Sequence, residues 1–209
     1  TSVTAPPDGP SGWPAYARWF ADELVPYIRH EVGDARARVA VLGVGDDCAL
    51  LHMAPGMQLA VSSDMLVAGR HFFADTDPRR LGHKALAVNL SDLAACGARP
   101  LAFTLALALT EADDAWLDPF SRGLFALADA HGCELIGGDT TQGPLNICIT
   151  VFGEVPSGAA RLGQPATQAL LREGAQPADD VYVSGTLGDA RLALEALQGR
   201  LELPDAVQH

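Results

Sequence analysis

The chain has 209 residues, more than the about 150 that are typical of one domain, so we expect one large domain or one domain and part of a second. It is 48% hydrophobic and 19% charged. This is enough to bury a core, and the apolar runs are shorter than the about 20 residues that cross a bilayer. Its 14 basic and 26 acidic residues give a net charge of −12, which disfavours binding to nucleic acid or anionic lipid. We therefore expect a globular protein with no nucleic-acid or membrane partner, whose ligands are cations or cation-bridged anions.

The N-terminal residues and the cysteines both indicate a cytoplasmic protein. Residues 1–12 are rich in proline and glycine and lack the basic and apolar regions of a signal peptide, which predicts a disordered leader. The four cysteines form no C-x-x-C pair and lie among apolar or small residues, where a reduced thiol is an ordinary core residue. They are Cys48, Cys96, Cys133 and Cys148.

Hydrophobic spacing predicts a chain in which helices and strands alternate. Helices are predicted at residues 14–31, 78–96, 112–131 and 188–199. Strands are predicted at residues 39–42, 59–61, 101–109, 134–136, 146–155 and 181–184. Residues 156–178 are rich in Gly, Ala, Pro and Gln and indicate a connection. We therefore expect an N-terminal domain at residues 13–155 and the start of an incomplete second domain at residues 179–209.

Aspartates come directly after three of the predicted strands. They lie in the segments 43–47, 62–64 and 137–141, which contain Asp47, Asp64 and Asp139. Ligands often bind at strand ends in open mixed folds, because backbone amides and short side chains are free there. A single such aspartate would be explained as a turn former. Three of them in one short chain favour a shared binding site.

The predicted helix at residues 78–96 adds a fourth carboxylate. Asp92 follows Leu81, Ala85 and Val88 at helical spacing, so we expect it on the apolar stripe, where an ionised carboxylate is costly unless it is compensated. Either Lys84 or a capped loop could compensate it, or a metal ion could. The oxygen donors of these aspartates and of Ser62 and Ser63 suit Mg²⁺. The six histidines show no zinc-binding spacing.

A magnesium site suggests a polyphosphate ligand, but the common nucleotide motifs are absent from the sequence. Lys84 is the only lysine in the chain, and no P-loop glycine pattern precedes it. The glycines before Asp139 could offer backbone amides to phosphate oxygens, or they could form a plain turn. His71, seven residues after Asp64, could contact a substrate or could be a partly buried histidine with one satisfied nitrogen.

Four sequence blocks together resemble thiamine-monophosphate kinase. They are GDDCA at residues 45–49, SDMLVAGRHF at 63–72, KALAVNLSDLAA at 84–95 and GGDTTQGP at 137–144. The blocks occur in the order and spacing of that family, and the resemblance covers roughly residues 14–200.

The resemblance implies an α+β fold of the aminoimidazole-ribonucleotide synthetase type. In that fold the mixed sheet of the N-terminal domain forms a barrel across a homodimer, and an α/β C-terminal domain follows. The implied reaction is phosphorylation of thiamine phosphate by ATP, which gives thiamine diphosphate. Such a direct transfer needs no nucleophile on the protein, so we assign no catalytic residue.

The resemblance also implies roles for individual residues. Several Mg²⁺ ions would be held by Asp47, Ser62, Ser63, Asp64, Asp92 and Asp139. His71 would contact thiamine phosphate, and Gly138 with Asp139 would contact the nucleotide phosphates. Arg172 would reach ATP, although Arg161 competes for this role because the connection before Arg172, residues 157–171, is longer than is usual in the family.

Two alternative functions remain open, and two features of the kinase family would lie outside this sequence. Another ATP-using member of the superfamily would carry a reactive cysteine near one terminus, and a regulator would bind nucleotide or thiamine phosphate without turnover. The family's later Ser-Asp-Gly segment and its aromatic wall for thiamine would lie beyond His209. We therefore expect this sequence to be part of a longer enzyme, and residues 1–209 alone to dimerise but to have little or no kinase activity.

Overall fold

The computed structural model describes residues 40–42, 48–159, 166–183, 185–202 and 204. The predicted leader and the predicted helix at residues 14–31 lie outside the described residues. The chain divides into two compact units, Thr1–Leu171 and Arg172–His209. The division falls within the predicted connection.

A mixed four-stranded sheet forms the centre of the first unit. Its strands are β3 (Met57–Val67), β4 (Arg99–Leu109), β5 (Glu134–Gln142) and β6 (Asn146–Pro156). Their order across the sheet is β3-β6-β4-β5. Strand β6 is antiparallel to both of its neighbours, whereas β4 and β5 are parallel. Two short strands, β1 (Ala40–Leu42) and β2 (Leu50–Leu51), form a separate antiparallel pair.

Two helices of the first unit begin and end close to their predicted limits. Helix α1 spans Pro78–Ala95, and the Asp77 side chain caps its first turn by accepting a hydrogen bond from the Arg80 amide at 2.8 Å. Helix α2 spans Asp114–His131 and ends at Gly132, whose left-handed backbone terminates it. These local signals explain why sequence spacing was sufficient to predict both helices. The mixed α+β architecture is confirmed.

The core lies between these helices and one face of the sheet. Alternate β6 residues Ile147, Ile149 and Val151 are at most 1% exposed. They pack in one cluster with Leu86 of α1 and Phe120 of α2. Each fully buried side chain of this kind contributes about 1.5–3 kcal/mol, so this cluster holds the sheet against the helices. We call this side of the sheet the covered face.

Helices α1 and α2 touch backbone to backbone at two glycines. A Cβ added to Gly82 would lie 2.0 Å from the Phe120 carbonyl oxygen, and one added to Gly123 would lie 1.9 Å from the Arg79 carbonyl oxygen. Neither distance is possible for two nonbonded atoms. Each helix therefore needs glycine where it crosses the other.

The opposite side of the sheet, which we call the open face, has much less cover. A small cluster of Leu101, Ala102 and Ile136 lies apart from the main core and packs with residues of and around β2. The alternate β3 residues Leu59, Val61 and Met65 are 46%, 55% and 55% exposed. An apolar row of this kind on an edge strand is available for contact with another surface.

The second unit contains one described helix, α3 (Asp189–Leu197), as predicted. The predicted strand at residues 181–184 is wrong for its described part, because residues 181–183 form no strand and Val181 is 98% exposed. A β-branched apolar run forms a strand only where another strand can pair with it, and the described residues of this unit contain none. No described helix of the protein is long and apolar enough to span a membrane.

Candidate functional site

The serine–aspartate and glycine–aspartate segments lie inside strands rather than after them. Residues 62–64 belong to β3, and Gly138 and Asp139 belong to β5. The expectation that these segments follow strand ends is therefore wrong. Strand β3 pairs with β6 residue by residue from Met57 to Val67, so the ladder continues through the polar residues where the apolar run stops.

Alternation along β3 sends neighbouring residues to different faces. Ser62 and Asp64 share the covered face with the buried Leu66. Ser63 points to the open face, where its Oγ is 2.9 Å from the Thr150 Oγ1 and donates to the Ile149 carbonyl oxygen at 3.2 Å. Of the three polar residues, only Ser62 and Asp64 face helix α1.

Helix α1 places Asp92 against Ser62. The Ser62 Oγ donates a hydrogen bond to the Asp92 Oδ2 at 2.6 Å. Asp92 is exposed, so the expectation that its carboxylate is buried is wrong. At about 100° of rotation per residue, the buried arc of α1 is centred near Asn89 and includes the angle of Asp92. Asp92 is nevertheless exposed, and it lies in the last turn of the helix. Solvent therefore reaches the carboxylate, which needs no compensating partner.

Asn89 is the functional candidate that sequence spacing missed. Its side chain is the buried polar group of α1, with 1% of the residue exposed. Its Oδ1 accepts a hydrogen bond from the Asp64 amide at 3.1 Å, and its Nδ2 donates to the Ala85 carbonyl oxygen at 2.9 Å. The available signal was a polar residue four positions from both Ala85 and Leu93 on the leucine-rich side of the helix.

His71 lies in a turn that is tied to both β3 and α1. Its Nδ1 accepts a hydrogen bond from the Val67 amide at 3.0 Å, and its own amide donates to the Val67 carbonyl oxygen at 3.0 Å. A neutral ring with this arrangement carries its proton on Nε2. Lys84 donates from Nζ to the His71 carbonyl oxygen and is not paired with Asp92. His71 is exposed, so the partly buried interpretation is wrong.

Asp139 is separated from Asp64. It pairs with Ala106 of β4, which pairs in turn with Cys148 of β6, and this row lies on the open face with Met65. Strands β3 and β5 are opposite edges of the sheet, three strand spacings or about 14 Å apart. Within one chain, Asp139 and Asp64 therefore lie on different faces and different edges.

Gly138 has a structural reason to be glycine. A Cβ at this position would lie 1.9 Å from the Leu105 carbonyl oxygen of the neighbouring strand, and its φ is 151°. The close approach of β4 and β5 therefore requires glycine whether or not a phosphate binds there.

The remaining predicted residues lie elsewhere in the chain. Asp47 and Arg161 are outside the described residues, and Arg172 is exposed at the beginning of the second unit. Among the described residues, no group of three or more His, Cys, Asp or Glu side chains is close enough to hold a metal ion.

The described residues place Ser62, Asp64 and Asp92 on the same side of the sheet, because Ser62 and Asp64 share the covered face of β3 and the Ser62 hydroxyl bonds to Asp92. Mg²⁺ prefers oxygen ligands and commonly uses one or two carboxylates, with water and substrate phosphates in the remaining positions. Two carboxylates and a hydroxyl fit this requirement. The set does not suit zinc, which favours nitrogen and sulfur ligands.

The family model for the AIR synthase related protein, N-terminal domain, matches residues 45–155, which is more than half of the chain. The chain belongs to the AIR synthase-related family. The thiamine-monophosphate kinase of Escherichia coli K12 is 52% identical to this family member over 165 residues, which cover 79% of this chain and 48% of that protein.

Two solved structures support the same assignment within the AIR synthase-related family. Thiamine-monophosphate kinase from Stenotrophomonas maltophilia K279a is 48% identical with a TM-score of 0.72, covering 86% of this chain and 54% of that one. AaThiL complexed with AMPPCP and TMP is 28% identical with a TM-score of 0.62, covering 87% and 53%. The resemblance to thiamine-monophosphate kinases is confirmed, and the chain spans about half the length of these relatives.

Proposed function

We propose that the protein containing this chain is a thiamine-phosphate kinase. It transfers the γ-phosphoryl group of ATP to thiamine monophosphate in an Mg²⁺-dependent reaction, and it releases thiamine diphosphate and ADP. The observation that carries this proposal is the 52% identity to the Escherichia coli thiamine-monophosphate kinase across 79% of the chain. The likeness to AaThiL complexed with AMPPCP and TMP adds support, because AMPPCP is an analogue of ATP.

The described site supports this chemistry through its oxygen donors. Both the acceptor phosphate and the γ-phosphate are anionic, so their approach is repulsive until their charge is offset. In this proposal Ser62, Asp64 and Asp92 hold Mg²⁺, which when bound neutralises phosphate charge and orients the reacting groups. The transfer is direct, and no protein side chain acts as a nucleophile.

Other residues have binding roles in the proposal. The exposed His71 donates from Nε2 to an oxygen of thiamine phosphate, since its Nδ1 is occupied by the Val67 amide. Gly138 and Asp139 contact the nucleotide, and Asp47 and Ser63 complete the metal ligands. Arg172 or Arg161 reaches the ATP phosphates.

We infer in addition that the protein is a homodimer, in which the sheets of two copies form a barrel. The exposed row of Leu59, Val61 and Met65 on the open face favours cover by a second copy. A second copy on the open face could also bring its Asp139 towards Ser63, since within one chain these two residues lie on opposite edge strands about 14 Å apart. A cytoplasmic location is part of this proposal and agrees with the reduced thiols expected from the sequence.

The proposal is tested by comparing Asp64→Asn with Asp114→Asn in the native-length protein. Both changes remove one carboxylate charge, but Asp114 is exposed in the first turn of α2. We expect Asp64→Asn to lower the rate of thiamine diphosphate formation by at least about 100-fold, since a metal ligand contributes several kcal/mol to the transition state. Asp114→Asn should retain the wild-type rate.

Two results would contradict the proposal. One is a near-wild-type rate for Asp64→Asn at saturating Mg²⁺. The other is a wild-type protein that binds thiamine monophosphate and ATP but forms no thiamine diphosphate, which would favour a regulator.

A further inference from the structure

We propose that Asn89 is a positioning residue that sets the place of Asp64 relative to Asp92 and thereby controls Mg²⁺ affinity. This inference rests on the proposed function, because it takes both aspartates to be metal ligands. Asn89 itself contacts neither ion nor substrate. It acts through the backbone of Asp64.

Two hydrogen bonds join β3 to α1 at this point. The Ser62 Oγ donates to the Asp92 Oδ2 at 2.6 Å, and the Asp64 amide donates to the Asn89 Oδ1 at 3.1 Å. Their acceptors lie three residues apart on α1. They therefore occupy neighbouring positions on the helix surface. Their donors lie two residues apart on one face of β3. Together the two bonds fix both the separation and the register of the elements that carry the carboxylates.

The orientation of the Asn89 carboxamide is fixed by its two hydrogen bonds. Its Nδ2 donates to the Ala85 carbonyl oxygen one turn earlier at 2.9 Å, which leaves Oδ1 directed at the Asp64 amide. Asn89 is 1% exposed, so water does not compete for either bond. A buried amide is costly unless it is fully hydrogen-bonded, and an apolar residue would fill the same core volume without that cost. Packing alone therefore does not explain asparagine here.

The expected consequence is a change in metal affinity rather than in chemistry. Residues that orient metal ligands without touching the metal typically change metal affinity by about 10- to 100-fold when they are mutated. Without Asn89, the Asp64 backbone loses its hydrogen bond to α1, so the position of its side chain relative to Asp92 is less firmly fixed. Saturating Mg²⁺ can select the correct arrangement again, so kcat should change by only a few-fold.

The main test uses Asn89→Leu in the native-length protein, with Asn89→Ala as a second variant and Leu93→Ala as the control. Leucine keeps the buried volume but removes both hydrogen bonds. Leu93 lies one turn further along the same buried side of α1 and is 2% exposed, so its truncation weakens packing without touching the β3 connection. The measurements are the Mg²⁺ dependence of turnover, the rise in Tm on adding Mg²⁺ with AMPPCP, and amide hydrogen exchange at Asp64.

Both Asn89 variants should raise the Mg²⁺ concentration at half-maximal rate by about 10- to 100-fold, reduce the metal-linked rise in Tm and accelerate exchange at Asp64. Leu93→Ala should lower the Tm without ligand but leave the Mg²⁺ dependence unchanged. An Mg²⁺ dependence of Asn89→Leu within about two-fold of wild type, or the same shift in Leu93→Ala, would overturn the inference. A failure of the proposed function would be recognised separately, because the wild-type protein would then form no thiamine diphosphate. The Tm and exchange measurements would still decide the role of Asn89.

Discussion

The two faces of the central sheet differ in what covers them and in what their residues can do. On the covered face, alternate residues such as Ile149 and Val151 are fully buried beneath α1 and α2. On the open face, Val61 and Met65 are each 55% exposed, and Ser63 bonds only to neighbouring β6 residues. The comparison shows that one short segment, residues 62–64, contributes side chains to both faces. Ser62 and Asp64 lie on the covered face and point towards helix α1, whereas Ser63 lies on the open face.

The largest effect that we expect on the covered face comes from filling the contact between the helices. Alanine usually stabilises a helix by about 1 kcal/mol relative to glycine, yet Gly123→Ala should destabilise the protein by about 3 kcal/mol or more, because its Cβ collides with the Arg79 backbone. Ala126→Ser, on the exposed side of α2, is the control. Urea unfolding of both variants measures the difference, and a stabilised Gly123→Ala would show that the helices can separate at no cost.

An intermediate effect, confined to association, is expected on the open face. Val61→Lys should change the stability of a single chain by no more than about 0.5 kcal/mol. In the proposed homodimer it buries a charge in the interface and should weaken association at least about 10-fold. Ala126→Lys, on exposed α2, is the matched control. Sedimentation equilibrium of the native-length protein measures the dimer constant, and an unchanged constant for Val61→Lys would exclude this face from the interface.

The smallest effect concerns two cysteines, one in the core under the covered face and one on the open face. Burial raises the pKa of the Cys133 thiol to about 12 from the 9.0 of an accessible thiol. The unfolded chain therefore loses this proton first, so stability should fall as pH rises above about 9, by about 1 kcal/mol between pH 8 and 10 from this group. Cys133→Ala should flatten this alkaline decline.

The matched change on the open face is Cys148→Ala, because Cys148 is partly exposed. Unfolding by urea at pH 8, 9 and 10 compares the two variants with wild type. Equal alkaline slopes for wild type and Cys133→Ala would contradict a buried, protonated Cys133 thiol.

Features encoded within a few neighbouring residues could be predicted from the sequence. Helix α1 is specified by Asp77 and Pro78 at its start and by its apolar spacing, and α2 by Asp113 and the terminal Gly132. Strands β4 and β6 follow from continuous apolar runs. The cysteines were predicted less well, since Cys48 and Cys96 are exposed whereas Cys133 is buried. The presence of small or apolar neighbours in the sequence does not determine whether a cysteine is buried.

Features that depend on distant parts of the chain could not be predicted. The polar residues of β3 and β5 remain in the ladder because of strands that are remote in sequence. The strand order β3-β6-β4-β5 separates Asp64 from Asp139. Nothing in the sequence around either aspartate indicates this order. Asn89 was missed because the buried side of α1 is defined only by the packing of the helix on the sheet. Its partner, the Asp64 amide, is a backbone group that no sequence motif specifies.

The glycine contact between α1 and α2 also has a mechanical consequence. Because Gly82 and Gly123 bring each helix against the other's backbone, the contact opposes sliding or rolling of one helix on the other, which favours movement of the two helices together. The helix end that carries Asp92 is therefore unsuited to act as a hinge.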